Sequence, residues 1–324
     1  MTAPVRWGIL GAGAISHRFV SDLKQVAGAQ AVAVGARSAE RAAAFAAQFG
    51  IARSHGSYEE LAAEPQVDCI YIGTPHNFHQ AHTLLCLEHD KHVVCEKPFA
   101  INAEQARRMI ARARERKLFL MEAMWSRFNP VYVRARQWIA SGLIGEVRML
   151  KADFGFAAAR KPEGRLFNPK LGGGSLLDVG IYPLSLASHL FGPRPSAIQA
   201  VGRLGPTGVD EQAAIVLQYP EDQLALLSCA IRTRTAQNAL IIGTAGKVWL
   251  PAFWRARLAV LRRPKQAPRI TWGKAGYRFE AAEAVQCIRA GRTESSTMPL
   301  DESLAIMETM DRIRQRIGLK YPGE

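Results

Sequence analysis

Short apolar runs alternate with helical patterns through the first 124 residues. The apolar runs predict five strands, over Val5–Leu10, Gln30–Ala36, Asp68–Thr74, His92–Cys95 and Leu118–Ala123. Apolar positions three or four residues apart predict the intervening helices, over Ala14–Val26, Ala39–Phe49, Gln80–His89 and Ala103–Lys117. Strands that are apolar throughout are buried on both faces, as in a parallel sheet covered by helices. Residues 1–124 are therefore predicted to form a doubly wound α/β domain.

The pattern changes after Trp125. One helix is predicted over Val131–Ser141, a long strand over Glu146–Phe156, and a second helix over Leu177–Leu190. Residues 198–270 read as alternating strands separated by Gly and Pro, which is typical of an antiparallel sheet with one open face. Helical spacing returns in two terminal segments, Phe279–Ala290 and Leu300–Ile317. We therefore predict an α+β domain over residues 125–324, with an open, largely antiparallel sheet and a last helix that packs back on the first domain.

The 324 residues suit two domains of ~100–200 residues each, and the excess charge belongs to the second. The net charge is +14. Residues 1–124 carry 14 basic and 12 acidic side chains, whereas Gln223–Phe279 holds eleven basic ones and no acidic one. No nucleic-acid motif accompanies these bases, which fall on alternating strands, so a nucleic-acid partner is not expected. The favoured explanation of this basic stretch is that its side chains lie on solvated sheet edges and loops, where charge discourages edge-to-edge pairing. A preference for an anionic substrate is the alternative.

Neither a membrane protein nor a secreted protein is predicted. No apolar run approaches the ~20 residues that span a bilayer, and the N-terminus enters a strand without the pattern of a signal peptide. The five cysteines lie far apart with no CxxC pair. This spacing favours buried thiols in a reducing compartment over disulfides or a metal site. These features predict a cytoplasmic protein without a metal centre.

A glycine-rich turn joins the first predicted strand to the first predicted helix. Gly11 permits the tight turn, and Gly13 lets the backbone approach a pyrophosphate at the positive end of the helix, beside Ala14 and Ile15. Ser16 occupies the place of the usual third glycine, so the packing there must tolerate a small side chain. Because the motif lies between a strand and a helix, a dinucleotide site of the Rossmann type is favoured over a merely structural turn.

The end of the second predicted strand decides which dinucleotide is expected. NAD enzymes usually carry an acidic residue there for the ribose 2′-hydroxyl, whereas this chain has Gly35-Ala36-Arg37-Ser38. Arg37 can pair with a 2′-phosphate and Ser38 can form a hydrogen bond with it. A solvated arginine at a helix start is the alternative explanation, but cations are poorly placed there without an anion. NADP is therefore expected, with NAD as the alternative.

Glu96-Lys97-Pro98 ends the fourth predicted strand, at the edge of a parallel sheet where ligands bind. In order along the chain, the segments GAGAIS, GTPHNFH, EKP, GGGSLLDVGIYPL and IIGTAGKVWL resemble the glucose–fructose oxidoreductase/inositol dehydrogenase (Gfo/Idh/MocA) superfamily. The segments MEAMWSRFNP and DESLAIMETMDRIRQRIGLKYPGE resemble the branch that holds dimeric dihydrodiol dehydrogenase and NADP-dependent D-xylose dehydrogenase. The resemblance covers nearly the whole chain. It implies an NAD(P)-dependent dehydrogenase or reductase that acts on CH–OH groups.

The resemblance also implies three catalytic residues. Lys97 would contact the substrate and the nicotinamide ribose, and Tyr182, where many members carry histidine, would take the proton of a substrate hydroxyl. A nearby Lys97 would lower the pKa of Tyr182 by favouring the phenolate. Asp178 would orient Lys97 or bind a second hydroxyl; for Tyr182 alone, an aromatic residue buried against the sheet is the alternative. The cofactor would be contacted by Gly11, Gly13, Ala14, Ile15, Arg37, Ser38, Thr74, Pro75, His76, Asn77, Glu96 and Lys97.

The expected reaction is NADP-dependent hydride transfer at a hydroxyl carbon of a carbohydrate, cyclic polyol or dihydrodiol. Reduction of a sugar carbonyl and a non-catalytic NADP-binding sensor are the alternatives, although a sensor would be expected to have lost Lys97 or Tyr182.

His79 is expected to be structural. Residues that could line the substrate pocket, or equally belong to the core or rim, are Arg127, Phe128, Phe154, Phe156, Arg165, Trp125 and Trp254. A homodimer through the C-terminal sheet is expected, because an open apolar sheet face is costly in water.

Overall fold

Six strands of the N-terminal part form a parallel sheet in the computed structural model, which describes residues 3–322 and 324. They are β1 Val5–Leu10, β2 Ala29–Gly35, β3 Arg53–His55, β4 Cys69–Ile72, β5 His92–Glu96 and β6 Leu120–Ala123. Their order across the sheet is β3-β2-β1-β4-β5-β6, and every neighbouring pair is parallel. The order reverses at β1. The carboxyl ends of β1 and β4 therefore meet at a switch point of the kind that binds ligands.

Helices follow the strands, as the alternating pattern predicts. They are α1 Ala14–Leu23, α2 Ala39–Phe49, α3 Tyr58–Ala63, α4 His79–Glu88 and α5 Ala103–Arg116. Ser57 caps α3, because its side chain accepts a hydrogen bond from the backbone N–H of Glu60. The sequence patterns missed β3 and α3, which have three and six residues, since elements this short show too little periodicity.

Eight strands form the second sheet. They are β7 Val147–Gly155, β8 Ala197–Leu204, β9 Asp210–Gln218, β10 Leu224–Ala230, β11 Ala239–Gly243, β12 Gly246–Leu250, β13 Leu258–Arg262 and β14 Arg269–Trp272. Their order is β14-β13-β12-β11-β7-β10-β9-β8. Only β7 and β10 pair in parallel, and the other neighbours are antiparallel. The predicted fold class, a parallel Rossmann sheet plus a largely antiparallel sheet, is confirmed.

The α-helices that follow β6 in the chain are α6 Pro130–Ala140, α7 Ile181–Phe191, α8 Arg278–Arg289 and α9 Leu300–Ile317. A π-helical segment, Leu176–Gly180, leads directly into α7. The sequence predicted one helix over this stretch and did not foresee the π-helical turn, because 3.6-residue periodicity does not distinguish one wide turn.

The second sheet has one covered face and one open face. Along β9, Ala213, Ile215 and Leu217 are buried, whereas the intervening Val216 is exposed. Helix α7 packs on β7 and β10 and covers part of the buried face. Large apolar side chains at exposed positions of these strands are Val201, Leu204, Val216, Leu226, Trp249, Ile270 and Trp272. The open face is therefore considerably apolar.

Contacts divide the chain into two compact units. The first contains the residues up to 100, residues 104–125 and residues 276–303, and the second contains residues 101–103, 126–275 and 304–324. Helix α8 belongs to the first unit, where it packs on α1 and on β1. The sequence-based boundary between residues 124 and 125, and the packing of the last helix on the first domain, stay predictions.

All five cysteines are buried and carry free thiols. Among residues 3–322 and 324, no group of three or more His, Cys, Asp or Glu side chains is arranged to hold a metal ion. Within the same residues, no helix combines the length and apolarity that crossing a membrane requires.

Candidate active site

The glycine turn at the end of β1 leaves the start of α1 open to a ligand. Gly11 has a φ of 101°, which a residue with a side chain rarely adopts. A Cβ atom added to Gly13 would meet only the Gly73 carbonyl oxygen, at 3.7 Å, so space remains above the turn. Gly13 at the N-cap of α1 has no side chain with which to cap the helix, and no acidic residue lies in the first turn, which begins with Ala14 and Ile15. An uncapped, acid-free helix start next to a glycine turn suits a pyrophosphate.

Ser16 fits the place of the third glycine because its neighbour is itself a glycine. The Ser16 side chain is fully buried, and a Cβ on Gly73 would lie 2.5 Å from its Oγ. Gly73 directly follows β4 in the chain. The two small residues therefore allow α1 and β4 to approach closely, as the sequence required.

Arg37 is exposed at the end of β2, where a 2′-phosphate would be recognised. Arg37 and Arg41 both act electrostatically on the phenol of Tyr58, which shows that these two cations share one neighbourhood. Ser38 caps α2, because its Oγ accepts a hydrogen bond from Arg41 N at 3.4 Å. Hydrogen bonds from the Glu40 backbone and from Ser38 lower the pKa of Glu40. The sequence missed Arg41, although its i+4 spacing from Arg37 could have indicated it.

The loop after β4 contains Thr74, Pro75, His76 and Asn77, which were predicted to contact the cofactor. Thr74 Oγ1 lies 2.9 Å from His82 Nδ1. His76 is buried, and the buried Oδ1 atom of Asn77 has no hydrogen-bond partner within residues 3–322 and 324. Such an acceptor calls for a donor from a ligand or water. The loop therefore also fits a bound cofactor.

His79 joins this loop to the Glu96-Lys97-Pro98 turn. Its Nε2 lies 2.9 Å from the Thr74 carbonyl oxygen, and its Nδ1 lies 2.8 Å from the Pro98 carbonyl oxygen. The ring is fully buried, and burial lowers the pKa of His79. These contacts give His79 the structural role that the sequence predicts.

Buried carboxylates brace the turn that carries Lys97. The Tyr71 hydroxyl donates to Glu96 Oε1 at 2.6 Å, and the Lys97 backbone N–H donates to Glu96 Oε2 at 3.2 Å. The carboxylate of Glu122 accepts hydrogen bonds from Phe99 N at 3.1 Å and from Ser303 Oγ at 2.8 Å. Lys97 itself is partly exposed at the carboxyl end of β5, and its bond to Pro98 is cis. Glu96 thus supports the turn from within the protein.

Trp125 also lies in the first unit, where its ring stacks on Tyr277 at 4.6 Å between centroids. Burial and the carboxylates of Glu96 and Glu280 raise the pKa of Tyr277. Trp125 is therefore tied to an aromatic partner at the start of α8.

In the second unit, Tyr182 lies on the second position of α7 against two aromatic rings. It is buried, and its ring centroid lies 5.4 Å from that of Phe154 and 6.3 Å from that of Trp254. The Phe154 and Trp254 rings stack at 4.7 Å, and Trp254 Nε1 donates to Gln237 Oε1 at 3.1 Å. Phe156 is half-buried, with its ring 6.4 Å from that of Phe154. These rings form an aromatic wall beside the Tyr182 side chain.

Asp178 and Arg165 are paired in the same unit. Arg165 Nη1 donates to Asp178 Oδ1 at 2.7 Å, and Asp178 is the more buried partner. Asp178 belongs to the π-helical segment and Tyr182 to the following α7, so both side chains depend on how this helix starts.

Arg127 holds α7 through Ser185. It is 2% exposed, and it donates from Nε to Ser185 Oγ at 2.8 Å and from Nη2 to the Ser185 carbonyl oxygen at 3.0 Å. Phe128 is buried close by in the chain. The structure gives Arg127 a role in holding the helix that carries Tyr182; its contact with a substrate stays a prediction.

The structure thus groups the predicted residues within each unit. The first unit holds the glycine turn, Arg37, Ser38, residues 74–77 and Glu96-Lys97. The second holds Asp178, Tyr182, Arg165, Arg127 and Phe156.

Two family models match the chain. The model described as "Oxidoreductase family, NAD-binding Rossmann fold" matches residues 5–124, and the GFO/IDH/MocA C-terminal domain matches residues 132–249. The trans-1,2-dihydrobenzene-1,2-diol dehydrogenase of Mus musculus is 39% identical over 330 residues, which cover 98% of each chain.

Two solved structures extend the comparison. An aldose-aldose oxidoreductase from Caulobacter crescentus, complexed with glycerol, superposes with a TM-score of 0.89 at 26% identity and 97% coverage of each chain. A 3-ketoreductase from Actinomadura kijaniata, complexed with NADP and TDP-benzene, gives a TM-score of 0.85 at 26% identity. That match covers 97% of this chain and 98% of the other.

Proposed function

The chain belongs to the Gfo/Idh/MocA family of oxidoreductases, and from that premise we propose that it transfers hydride between NADP and a hydroxyl carbon of a cyclic diol or a sugar. The observation that carries this choice is the wall of Phe154 and Trp254 beside Tyr182. Aromatic faces pack well on the apolar face of a ring, whether an unsaturated diol or a sugar. The relatives named as dihydrobenzenediol dehydrogenase and aldose-aldose oxidoreductase act on substrates of these two kinds.

NADP is proposed over NAD on the basis of the cations after β2. Arg37 and Arg41 share one neighbourhood, and charge-assisted hydrogen bonds from guanidinium groups suit a 2′-phosphate. Glu40 lies in the first turn of α2, where it attenuates this preference. The 3-ketoreductase solved with NADP supports the same choice.

In the proposed reaction, the chain's own side chains handle the proton and the developing charge. Tyr182 Oη takes the hydroxyl proton of the substrate during oxidation and returns it during reduction. Lys97 Nζ stabilises the negative charge that develops on the substrate oxygen. Asp178, already paired with Arg165, uses further acceptor positions of its carboxylate to hold a second hydroxyl. The nicotinamide, when bound, supplies the acceptor or donor of the hydride.

The test is a panel of substrates followed by the absorbance of reduced nicotinamide. Purified protein is incubated with NADP⁺ or NAD⁺ and aldoses, inositols or trans-dihydrodiols, and with NADPH and the corresponding ketones. We expect turnover of a diol or sugar with a higher kcat/KM for NADP⁺ than for NAD⁺. Turnover of ketones alone would identify a carbonyl reductase that uses the same residues in reverse. Binding of NADPH without turnover of any member would contradict the proposal.

We further propose that two copies pair through the open face of the second sheet. Val216 and Leu226 are direct cross-strand neighbours on that face, and Leu240 faces Trp249 across the β11–β12 pair. An apolar surface that spans several strands is typical of an interface, and a second copy offers a self-complementary partner. Sedimentation at micromolar concentration should give a dimer.

We propose a cytoplasmic location as well, because five free and buried thiols suit a reducing compartment. Fractionation of cells that produce the tagged protein tests this location.

A further inference from the structure

A buried carboxylate lies under the start of the helix that carries Tyr182. Asp210, the first residue of β9, is fully buried. Its Oδ2 accepts a hydrogen bond from Ser175 Oγ at 2.6 Å and another from the Leu176 backbone N–H at 2.7 Å. Leu176 is the first residue of the π-helical segment. Asp210 therefore caps this helix from a strand that lies 34 residues away in the sequence.

The glycine loop before the helix is shaped around the same carboxylate. Gly174 has a φ of 116°, and a Cβ on it would lie 2.1 Å from Asp210 Oδ1. The Tyr321 hydroxyl donates to the Gly173 carbonyl oxygen at 2.6 Å and holds the loop from the C-terminal side. Asp210 Oδ1 itself has no hydrogen-bond partner among residues 3–322 and 324. Any side chain at position 174 would displace the carboxylate.

A negative charge at this point has a direct effect on the helix. The first backbone N–H groups of a helix lack partners within the helix, and an anion there also stabilises its positive end. Asp178 and Tyr182 follow within two turns of Leu176. Because the carboxylate holds Leu176 in place, it also sets the rotation of the helix and its position along its axis. The side chains of Asp178 and Tyr182 are placed by both.

Few other titratable groups face Asp210. Cys229 of β10 approaches Ser175 Oγ at 3.3 Å, and Tyr321 lies on the C-terminal side of the loop. Burial raises the pKa of both groups, that of Cys229 to about 12, so both stay neutral in weak acid. The adjacent Glu211 pairs with Arg160 instead. Burial raises the pKa of Asp210 itself to about 6.

We propose that Asp210 is a positioning residue for the reaction, whose carboxylate sets the start of the π-helical segment and thereby places Tyr182 and Asp178 for catalysis. This assignment rests on the proposed function. It predicts that loss of the charge lowers turnover while the first unit continues to bind the cofactor.

Asp210→Asn is the decisive variant because it keeps the size of the side chain and removes its charge. At about pH 8, we expect kcat to fall by about 10²-fold with the Kd for NADPH unchanged within about twofold. The matched control is Asp153→Asn, since the Asp153 carboxylate also accepts two hydrogen bonds, here from the backbone N–H groups of Gln237 at 2.6 Å and Asn238 at 3.4 Å. A kcat within about twofold of wild type in Asp210→Asn, or an equal loss in the control, would overturn the assignment.

The pH profile separates positioning from general support of the fold. In the wild-type protein, kcat should fall as the pH is lowered through about 6, when Asp210 takes up a proton. This fall at low pH should be absent from Asp210→Asn, whose kcat should be low and independent of pH in this range. If kcat of the variant still falls as the pH is lowered through about 6, the assignment is contradicted.

Hydrogen–deuterium exchange gives a readout that needs no substrate. Backbone amides of the segment 176–181 should exchange faster in Asp210→Asn than in wild type, and at the wild-type rate in Asp153→Asn. If no substrate turns over, the proposed function fails, but the exchange result still decides the role of Asp210. If Asp210→Asn does not fold, Ser175→Ala removes one of the two donors to the carboxylate. Unchanged exchange in that variant would then count against the assignment.

Discussion

The two units present their candidate catalytic groups in different ways. In the first, the relevant residues lie at the carboxyl ends of β1, β2, β4 and β5, and three short contiguous segments supply most of them. His79 joins two of these segments by contacting the carbonyl oxygens of Thr74 and Pro98. In the second, Asp178 and Tyr182 lie on one helix whose position depends on side chains distant in sequence.

This difference suggests a division of labour. A strand end in a parallel sheet is rigid, and the turn that follows it presents N–H groups to a phosphate with little further support. A helix start buried against a sheet needs a partner for its N–H groups, which Asp210 provides from β9, and an anchor on its flank, which Arg127 provides. Changes at the phosphate-binding residues of the first unit should therefore act on cofactor affinity, and changes at the helix of the second unit on turnover.

The largest effect is expected for Tyr182→Phe. The variant keeps the ring beside Phe154 and Trp254 but removes the hydroxyl that we propose moves the proton. Loss of a general acid–base group lowers kcat by about 10²–10⁴-fold. Steady-state kinetics on the best substrate measures kcat, and fluorescence titration with NADPH should show an unchanged Kd.

Tyr132→Phe is the matched control for that variant. Tyr132 is also a buried tyrosine of the second unit, and its hydroxyl lies 3.1 Å from His189 Nδ1. Its kcat should stay near the wild-type value. Near-full activity of Tyr182→Phe would remove Tyr182 from the mechanism.

The same contrast explains what the sequence could predict. Gly11, Gly13 and Lys97 belong to local motifs whose meaning depends only on a preceding strand, and apolar runs locate such strands well. Asp210 gave no comparable signal, because an acidic residue at the start of an alternating strand usually faces solvent. Its partner Leu176 is apolar and contributes only a backbone N–H. Interactions of this kind, between distant segments and through the backbone, leave no pattern in the chain.

The fold followed the same rule. Both sheets were predicted from apolar runs and alternation, and these patterns persist over many residues. β3, α3 and the π-helical turn were missed, since each is short and its form depends on neighbours. The contact between the Arg127 guanidinium and Ser185, 58 residues away, likewise left no pattern in the chain, and a contact of Arg127 with the substrate stays a prediction.

The next largest effect concerns the stability of the second unit. The pKa of Asp210 is raised from an ordinary 3.8 to about 6, so between these values the folded chain holds a proton that the unfolded chain has lost. Because the folded chain binds this proton more tightly, protonation of Asp210 stabilises the fold. The contribution of Asp210 to the free energy of unfolding is therefore largest below pH ~4, and it falls by about 3 kcal/mol as the pH rises through 6. Urea unfolding of wild type and Asp210→Asn at several pH values measures it. As the pH rises, the free energy of unfolding of wild type should fall relative to that of Asp210→Asn. A difference between the two free energies that stays constant with pH would contradict the prediction.

A smaller effect is expected for Arg37→Ala, which tests the first unit. Removing a charge-assisted hydrogen bond of about 1.5–3 kcal/mol should raise the KM for NADP⁺ about 10- to 100-fold and leave the KM for NAD⁺ unchanged. Glu40→Gln should act in the opposite direction, because it removes an anion from the first turn of α2. Arg107→Ala, on the exposed side of α5 beside Glu104, is the control. An equal change for both cofactors would show that Arg37 does not select between them.

The smallest effect on catalysis is expected from the open face of the second sheet. Leu226 is 38% exposed and lies opposite Val216, near the middle of that face. Leu226→Lys places a charge where a second copy would bury an apolar side chain, so the dimer should dissociate at micromolar concentration. Position 226 is exposed to water in a single chain, so a charge there should not destabilise the chain itself. The melting temperature should therefore fall only by the part that dimerisation contributes. Sedimentation velocity measures the dimer, and Gln199→Lys on the edge strand β8 tests whether added charge alone is responsible.

Because Tyr182 is reached from the other face of the sheet, through Phe154 of β7, the kcat per chain should stay near that of wild type. A large loss of kcat together with dissociation would mean that the second copy helps to position Tyr182. The dimer interface would then act on turnover, as the second unit does.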